Sequence, residues 1–184
     1  MFYLKSLDEY KKYLPLILTV NENSIELVMK IYNIFIEWNA FEKYNLGELR
    51  GTFLEILTYK LLNKKGKGEI YKEVNIILGK YTSHTWDIIL KLNNSINLLE
   101  AKFSSNVLKR KHLNQMISSF NKLPNSYIFL VSYDEKTIIK DKLINLKENT
   151  TQSKYDSILH NINIISIENF NQNNIPYQIH LLSH

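Results

Sequence analysis

The segment from Trp86 to Lys102 constrains the fold of this chain more than any other part of its sequence. Two runs rich in apolar residues flank Asn93 and Asn94, a pattern that predicts a β-hairpin with a two-residue turn. With that turn, Asp87 and Glu100 lie directly opposite each other, with their Cβ atoms roughly 5 Å apart. Because like charges at opposed positions destabilise a hairpin, the pattern indicates a divalent cation between the two carboxylates.

Lys102 belongs to the same cluster of charges. It lies two residues after Glu100, so both side chains emerge on one face of the predicted strand. The two charges interrupt the apolar run Leu98–Phe103, which is difficult to explain if the hairpin is an ordinary surface element with both charges in water. The segment is therefore predicted to carry a catalytic site.

An Asp followed by a hairpin and Glu-x-Lys resembles the signature of the PD-(D/E)XK nuclease superfamily, which has the restriction-endonuclease-like fold. The resemblance covers residues 46–133 and includes an acidic residue on the preceding helix, Glu55. Trp86 stands where the family name has proline, at a position that varies widely in the family. The resemblance implies a metal-dependent nuclease whose catalytic residues include the two carboxylates and the lysine of the hairpin.

The cofactor that the resemblance implies is Mg²⁺, for which Mn²⁺ would substitute. Its ligands would be Asp87, Glu100, the Ala101 carbonyl and Glu55, the last directly or through water. A hard cation of this kind prefers carboxylates, waters and phosphate oxygens; it activates water and stabilises charge on a phosphate. Lys102 would orient the attacking water and hold positive charge beside the phosphate.

Two positions on the predicted helices each allow more than one interpretation. Glu55 is either a metal ligand or a helix-edge residue paired with Lys60 or Arg50, and Glu48 is the alternative ligand on the same polar stripe. Gln115 lies on the helix after Glu-x-Lys, where several families of this type carry a polar residue that faces the site. Exposure to solvent is the other interpretation of Gln115, and we predict it as a catalytic residue.

The serines and histidines near the motif also allow two interpretations each. Ser104 and Ser105 either bind a phosphate at the N-terminus of the following helix or cap that helix. His84 and His112 are expected at the surface rather than as metal ligands or bases. For His112, contact with the nucleic-acid backbone is the expected role.

The charge distribution predicts a polyanionic partner. The chain has a net charge of +5 and a sequence pI of about 9.1. No Asp or Glu occurs from Ala101 to Tyr133, a stretch that contains several Lys and Arg residues. A solvated face is the alternative interpretation of this stretch. The predicted nucleic-acid contacts within it are Lys109, Arg110, Lys111, His112, Ser104 and Ser105.

Hydrophobic periodicity predicts the order of the elements. A helix at 46–63, a strand at 69–78, the hairpin, a helix at 106–122 and a strand at 127–131 give the order αβββαβ, which is also the core order of the implied fold. We therefore expect an α/β (α+β) protein with a restriction-endonuclease-like core, in which helices flank a mixed central sheet.

The rest of the chain is predicted to extend this core within a single domain, residues 1–184. Residues 1–45 are predicted as an N-terminal helical extension, in which a helix at 23–41 is apolar around most of its circumference. That helix is buried either by a second copy of the chain, which would give a homodimer, or inside the monomer. Residues 134–184 are predicted to hold helices at 136–146 and 155–160 and strands at 163–167 and 177–182.

Composition excludes several classes of function. The sequence has no cysteine, which excludes disulfides, thiol catalysis and metal clusters ligated by cysteine. No apolar run approaches the roughly 20 residues of a membrane span, so we expect a cytoplasmic protein without a membrane partner.

The predicted function is metal-dependent hydrolysis of phosphodiester bonds by a DNA endonuclease of the restriction, resolvase, or defence or mobile-element type. Two alternatives stay open: an RNase that uses the same metal site, and a catalytically inactive nucleic-acid-binding or assembly module with the same fold. The joint presence of both carboxylates and the lysine argues against the inactive module, because loss of activity would usually remove one of them.

Overall fold

The computed structural model describes residues 46–63, 68–148 and 161–171, together with Ile175 and Ile179. The chain divides into two compact units, Met1–Thr52 and Phe53–His184, and the candidate site belongs to the second. The predicted N-terminal extension, with its helix at 23–41, lies outside the described residues. So does the helix predicted at 155–160. Of the strand predicted at 177–182, the one described residue is Ile179, which is helical, so the predicted strand is wrong at that position.

The described elements begin with a helix, which five strands follow, and helices and strands then alternate. They are α1 (Leu46–Asn63), β1 (Glu69–Val74), β2 (Ile77–Leu78), β3 (Tyr81–Thr82), β4 (Trp86–Leu92), β5 (Ser95–Ala101), a 3₁₀ turn (Ser105–Val107), α2 (Arg110–Lys122), β6 (Ser126–Val131), α3 (Lys136–Glu148), β7 (Ile162–Ile165) and α4 (Ile167–Asn171). The predicted order αβββαβ is confirmed in α1, β1, β4, β5, α2 and β6.

Five of the strands form one mixed sheet in the order β1-β4-β5-β6-β7. The pairs β1–β4 and β4–β5 are antiparallel, whereas the pairs β5–β6 and β6–β7 are parallel. The predicted mixed sheet with flanking helices is therefore confirmed. The strand predicted at 163–167 is β7, which extends the sheet beyond β6.

The β4–β5 register confirms the predicted two-residue turn. Leu92 pairs with Ser95, which leaves Asn93 and its neighbour as the loop. Asn93 has a φ of 50°, in the left-handed region that Asn tolerates better than most residues. The last registered pair at the other end is Ile88 with Leu99, and one further step sets Asp87 opposite Glu100.

One predicted strand is wrong in its extent. The strand expected at 69–78 ends at Val74, and the residues after it form the small antiparallel hairpin of β2 and β3. The physical reason is the length of the partner strand. Val74 pairs with Trp86, which is the first residue of β4, so β1 has no partner beyond that point.

The core surrounds the two central strands. β5 and β6 are buried along almost their whole length, and β6 is a nearly continuous apolar run, as expected for a strand covered on both faces. Helix α2 contributes Leu113 and Met116 to the core, and α3 contributes Ile139. Glu100 therefore lies on a strand that packing holds in place. Within the described residues, no helix is both long enough and apolar enough to cross a membrane.

Candidate active site

Three predicted site residues come together where β4 begins and β5 ends: Asp87, Glu100 and Lys102. The Lys102 Nζ lies 2.7 Å from Glu100 Oε1, 3.5 Å from Asp87 Oδ2 and 3.0 Å from the Ala101 carbonyl oxygen. Oxygens of three different residues thus surround one ammonium group. These are three of the four residues that the family resemblance implies as metal ligands.

The orientation of Asp87 is fixed by the neighbouring strand. Its Oδ2 accepts a hydrogen bond from the backbone N–H of Ala101 at 2.7 Å. Glu100 is deeply buried, whereas the side chains of Asp87 and Lys102 are each 20% exposed. The cluster is therefore accessible to solvent through Asp87 and Lys102, while Glu100 is covered.

Burial and neighbouring charges set the protonation of the cluster. Burial raises the pKa of Asp87, the charge of Glu100 raises it further, and Lys102 and the Ala101 N–H offset part of the effect. Burial also acts to raise the pKa of Glu100, but its contacts with His84 and Lys102 together outweigh burial, and the pKa is lowered. For Lys102, burial lowers the pKa and the two carboxylates outweigh it, so that the pKa is raised. The lysine is held in its charged form.

Glu55 lies within electrostatic range of the cluster. Its pKa is raised, first by burial and then by the charge of Asp87, while Lys102 acts to lower it. Glu73 and Lys72 of β1 make smaller contributions. The charges of Asp87 and Lys102 thus act on the helix carboxylate, and both interpretations of Glu55, as a metal ligand and as a helix-edge residue, stay predictions. The side chain of the alternative residue, Glu48, lies outside the described part of the chain.

His84 is a site residue that the sequence analysis did not predict. Its Nε2 lies 3.3 Å from Glu100 Oε2, and its ring packs on Trp86 with the ring centroids 4.2 Å apart. The side chain is only 13% exposed, so the expected surface position is wrong. The available signal was the position of His84 three residues before Asp87, at the entry to the strand that carries the motif.

The predicted phosphate contacts divide into two groups. Lys109, Arg110 and Lys111 are exposed at the start of α2, where a nucleic-acid backbone could reach them. His112 is half-buried, and its Nδ1 accepts a hydrogen bond from the backbone N–H of Lys109 at 3.1 Å. The pKa of His112 is lowered, first by burial and then by the charge of Lys102.

Gln115 is exposed on α2, as its solvent interpretation requires. The structure brings it into none of the described hydrogen bonds of the Asp87, Glu100 and Lys102 cluster. Its catalytic role therefore stays a prediction from the family resemblance.

Ser104 and Ser105 bind a carboxylate of the protein itself. Asp134 Oδ2 accepts hydrogen bonds from Ser104 Oγ at 3.1 Å, from Ser105 Oγ at 2.7 Å and from the Ser105 backbone N–H at 2.6 Å. Ser104 also caps the 3₁₀ turn by accepting from the backbone N–H of Asn106. Ser105 is fully buried. Ser104 therefore caps the 3₁₀ turn and not α2, and both serine hydroxyls donate to Asp134. Their contact with a phosphate stays a prediction.

The donor atoms fit a hard cation. Among the described residues, no three His, Asp or Glu side chains converge closely enough to hold a metal ion on their own. Mg²⁺ does not require such a cluster, since it is usually bound by one or two carboxylates together with waters and phosphate oxygens. Two carboxylates and a backbone carbonyl around a cationic group match that preference in chemistry and in charge.

Comparison with known proteins adds little to this geometry. No protein-family model and no curated protein matches the chain. Among solved structures, it is similar to the small subunit (R.BspD6I2) of the heterodimeric restriction endonuclease R.BspD6I, with a TM-score of 0.42 and 10% identity. The match covers 71% of this chain and 76% of that chain. A similarity this distant assigns no function, which therefore has to be inferred from the side chains.

Proposed function

We propose that this chain is a metal-dependent nuclease of the PD-(D/E)XK type that hydrolyses phosphodiester bonds, with DNA as its substrate. The observation that carries the proposal is the convergence of Asp87, Glu100 and the Ala101 carbonyl on the Lys102 ammonium. These residues come from adjacent strands of a buried sheet, which holds reactive groups more precisely than loops do.

The residues of the chain supply three functions in this mechanism. Asp87, Glu100 and the Ala101 carbonyl would hold the cation, with Glu55 contributing from α1 directly or through water. When bound, the cation lowers the pKa of a water molecule and neutralises charge on the phosphate. Lys102, which is held in its charged form, orients the water and stabilises the negative charge that develops on the phosphate.

The basic start of α2 supplies the third function, which is binding of the substrate backbone. Lys109, Arg110 and Lys111 follow the catalytic strand closely in the chain, and no acidic residue lies in the first turn of the helix. Positive charge next to an active site raises the local concentration of a polyanionic substrate.

A cleavage panel tests the proposal. Linear, circular, single-stranded and branched DNA, and RNA, are incubated with Mg²⁺, with Mn²⁺ or with a chelator. We expect cleavage of at least one DNA substrate only when a cation is present. Glu100→Gln, which keeps the shape of the side chain but removes its charge, should reduce the rate by about 10²-fold or more.

Asp141→Asn is the matched control, because Asp141 is an exposed carboxylate on α3. It should cleave like the wild type. Cleavage that persists in the chelator, or a Glu100→Gln protein as active as Asp141→Asn, would contradict the proposed site. Preferential cleavage of RNA would support the proposed metal site and show that the substrate is RNA instead of DNA.

A further inference from the structure

The hairpin formed by β2 and β3 has no role in the proposed mechanism, although it lies next to the site in the chain. We call residues Asn75–Ser83 the tip hairpin. The two side chains of its first strand are aliphatic and exposed: Ile77 is 74% and Leu78 is 50% accessible to solvent. Isolated apolar residues are common on protein surfaces, but two consecutive aliphatic side chains next to an exposed turn need an explanation.

The base of the tip hairpin is held firmly. The Ser83 backbone N–H donates to the Ile76 carbonyl at 2.9 Å, and Ser83 Oγ accepts from the Ile76 N–H at 2.9 Å. The Tyr81 hydroxyl is hydrogen-bonded to Ser119 Oγ of α2 at 3.0 Å, and the Tyr81 ring packs against the core. The base is therefore anchored, and the exposed residues of the turn are carried by it in a fixed orientation.

The turn itself has the residues that a tight hairpin requires. Leu78 pairs with Tyr81, which leaves Gly79 and Lys80 as the loop. Gly79 has a φ of 59°, a conformation that glycine adopts at no steric cost. The exposed aliphatic pair is thus carried by a well-formed turn with a lysine at its end.

The tip hairpin is coupled to the candidate site through a short segment. Ser83 Oγ donates to the His84 carbonyl at 2.7 Å, and His84 contacts Glu100. Asp87 follows within the same run of residues. The segment that follows the tip hairpin therefore contacts the candidate site directly.

Charge and size indicate what kind of partner the tip fits. Residues 75–86 contain no Asp or Glu, and Lys80 supplies a positive charge in the turn. This composition suits a polyanion. A stable dimer buries roughly 800 Å² on each partner, far more than two side chains can supply. An aliphatic side chain inserted between stacked bases, by contrast, is a recurrent device of proteins that open or bend duplex DNA.

We propose that the tip hairpin is an apolar wedge that inserts Ile77 and Leu78 into the base stack of duplex nucleic acid beside the cleavage site. This inference rests on the proposed function and adds to it a class of substrate: a duplex whose stacking is opened at or near the cut. Lys80 would contact the adjacent phosphates.

Fluorescence of 2-aminopurine, which increases when the base unstacks, tests the wedge. Duplexes with the probe at successive positions are titrated with protein in a chelator, so that no cleavage occurs. The wild type should raise the fluorescence at one or two positions. The double variant Ile77→Ser and Leu78→Ser should remove that increase and weaken binding by about tenfold or more, since contacts with unstacked bases contribute strongly to affinity.

Because an apolar wedge releases no counterions, the dependence of log affinity on log salt should be unchanged in the tip variant. The matched control is Ile138→Ser with Ile144→Ser on α3, where the two side chains are similarly exposed, at 48% and 45%. It should behave as the wild type in fluorescence and in affinity. Both double variants should melt at the wild-type temperature, since they change exposed side chains.

The outcomes separate the wedge from the proposed function. A wild-type protein that binds duplex without any fluorescence increase, or a tip variant with wild-type fluorescence and affinity, would overturn the wedge alone. A change from dimer to monomer in the tip variant, measured by light scattering, would also overturn it and assign the tip to a second copy. A wild-type protein that binds no nucleic acid would overturn both proposals.

Discussion

Lys102 lies among the oxygens that would hold the proposed cation. Its ammonium is within 3.5 Å of oxygens from Asp87, Glu100 and Ala101. The same oxygens would not hold the ammonium and a divalent cation at full strength together, so we expect the lysine to withdraw when a cation binds. In the absence of the cation, Lys102 stabilises the fold by neutralising two carboxylates that would otherwise repel each other.

Lys102→Met is therefore expected to lower the free energy of unfolding by roughly 1–3 kcal/mol without divalent cations, because two partly buried carboxylates lose their partner. Added Mg²⁺ or Mn²⁺ should restore most of this loss, since a ligand that binds only the folded state stabilises it. Chemical denaturation with and without the cation measures both effects. Lys140→Met, exposed on α3, is the control. If Mg²⁺ stabilises the Lys102→Met protein no more than it stabilises the wild type, the ammonium and the cation do not compete for the same oxygens.

His84 is expected to position Glu100 for cation binding. Partners that hydrogen-bond to metal-ligating groups typically contribute 10–100-fold to metal affinity, so His84→Ala should weaken Mn²⁺ binding by about that factor. His84→Gln keeps an N–H donor and should recover part of the affinity. Calorimetry without nucleic acid provides the measurement. If the two variants bind Mn²⁺ as tightly as the wild type, His84 contributes only packing on Trp86.

The residues of the hairpin could be predicted from sequence, and His84 could not. A strand period of two and a two-residue turn determine which side chains oppose each other, so Asp87, Glu100 and Lys102 follow from the pattern alone. His84 lies in the irregular segment before β4, where no period relates it to Glu100. Its position depends on packing against Trp86, which only the three-dimensional structure contains.

Helix α2 begins with positive charges that a helix N-terminus disfavours. Its N-cap is Lys109, and Arg110 and Lys111 follow, without an acidic residue in the first turn. The N-terminal end of a helix carries partial positive charge, so each positively charged side chain there destabilises the helix by about 0.3–1 kcal/mol at low salt. A negatively charged partner would offset this cost, as the phosphates of a nucleic acid do.

Replacing Lys109, Arg110 and Lys111 by Ala should weaken duplex binding at every sequence. Consecutive residues of a helix spread around its surface, so one or two of the three are expected to contact phosphates. The slope of log affinity against log salt should become shallower by about 0.9 for each lost contact. The control replaces Lys136 and Lys140, both exposed on α3. An unchanged slope in the triple variant would assign the cluster to a solvated face.

The length of β1 depends on its partner strand and not on its own sequence alone. The apolar pattern from Val74 to Leu78 predicts a continuing strand, and it is equally compatible with the hairpin that the structure shows. The strand ends because β4 begins at Trp86 and offers no further partner to β1. The buried strands β5 and β6 were predictable, since long apolar runs bounded by turn residues have few alternatives.

For the whole molecule, the central expectation is a dimer. The helix predicted at 23–41 is apolar around most of its circumference, and it lies outside the described residues. A symmetric pair of copies would bury such a helix and would present two sites to the two strands of a duplex. That assembly, and the single domain over residues 1–184, stay predictions.

Light scattering at micromolar concentration, with and without duplex DNA, tests the dimer. The expected mass is twice the 21.8 kDa of one chain. A mass that stays at the value for one chain in both conditions would place the apolar helix inside the monomer. Double-strand cleavage would then require successive nicks.

The two-residue turn at Asn93 has a consequence for how this protein can change over evolution. Deleting one residue of the turn would force the strands to slip, and a slip of one residue turns every side chain of a strand to the other face of the sheet. Asp87 and Glu100 would then point in opposite directions, whatever their identities. Substitutions in the turn can therefore accumulate, whereas a change in its length abolishes the site in one step. Selection should thus conserve the spacing of the motif more strictly than the identity of the residues in the turn.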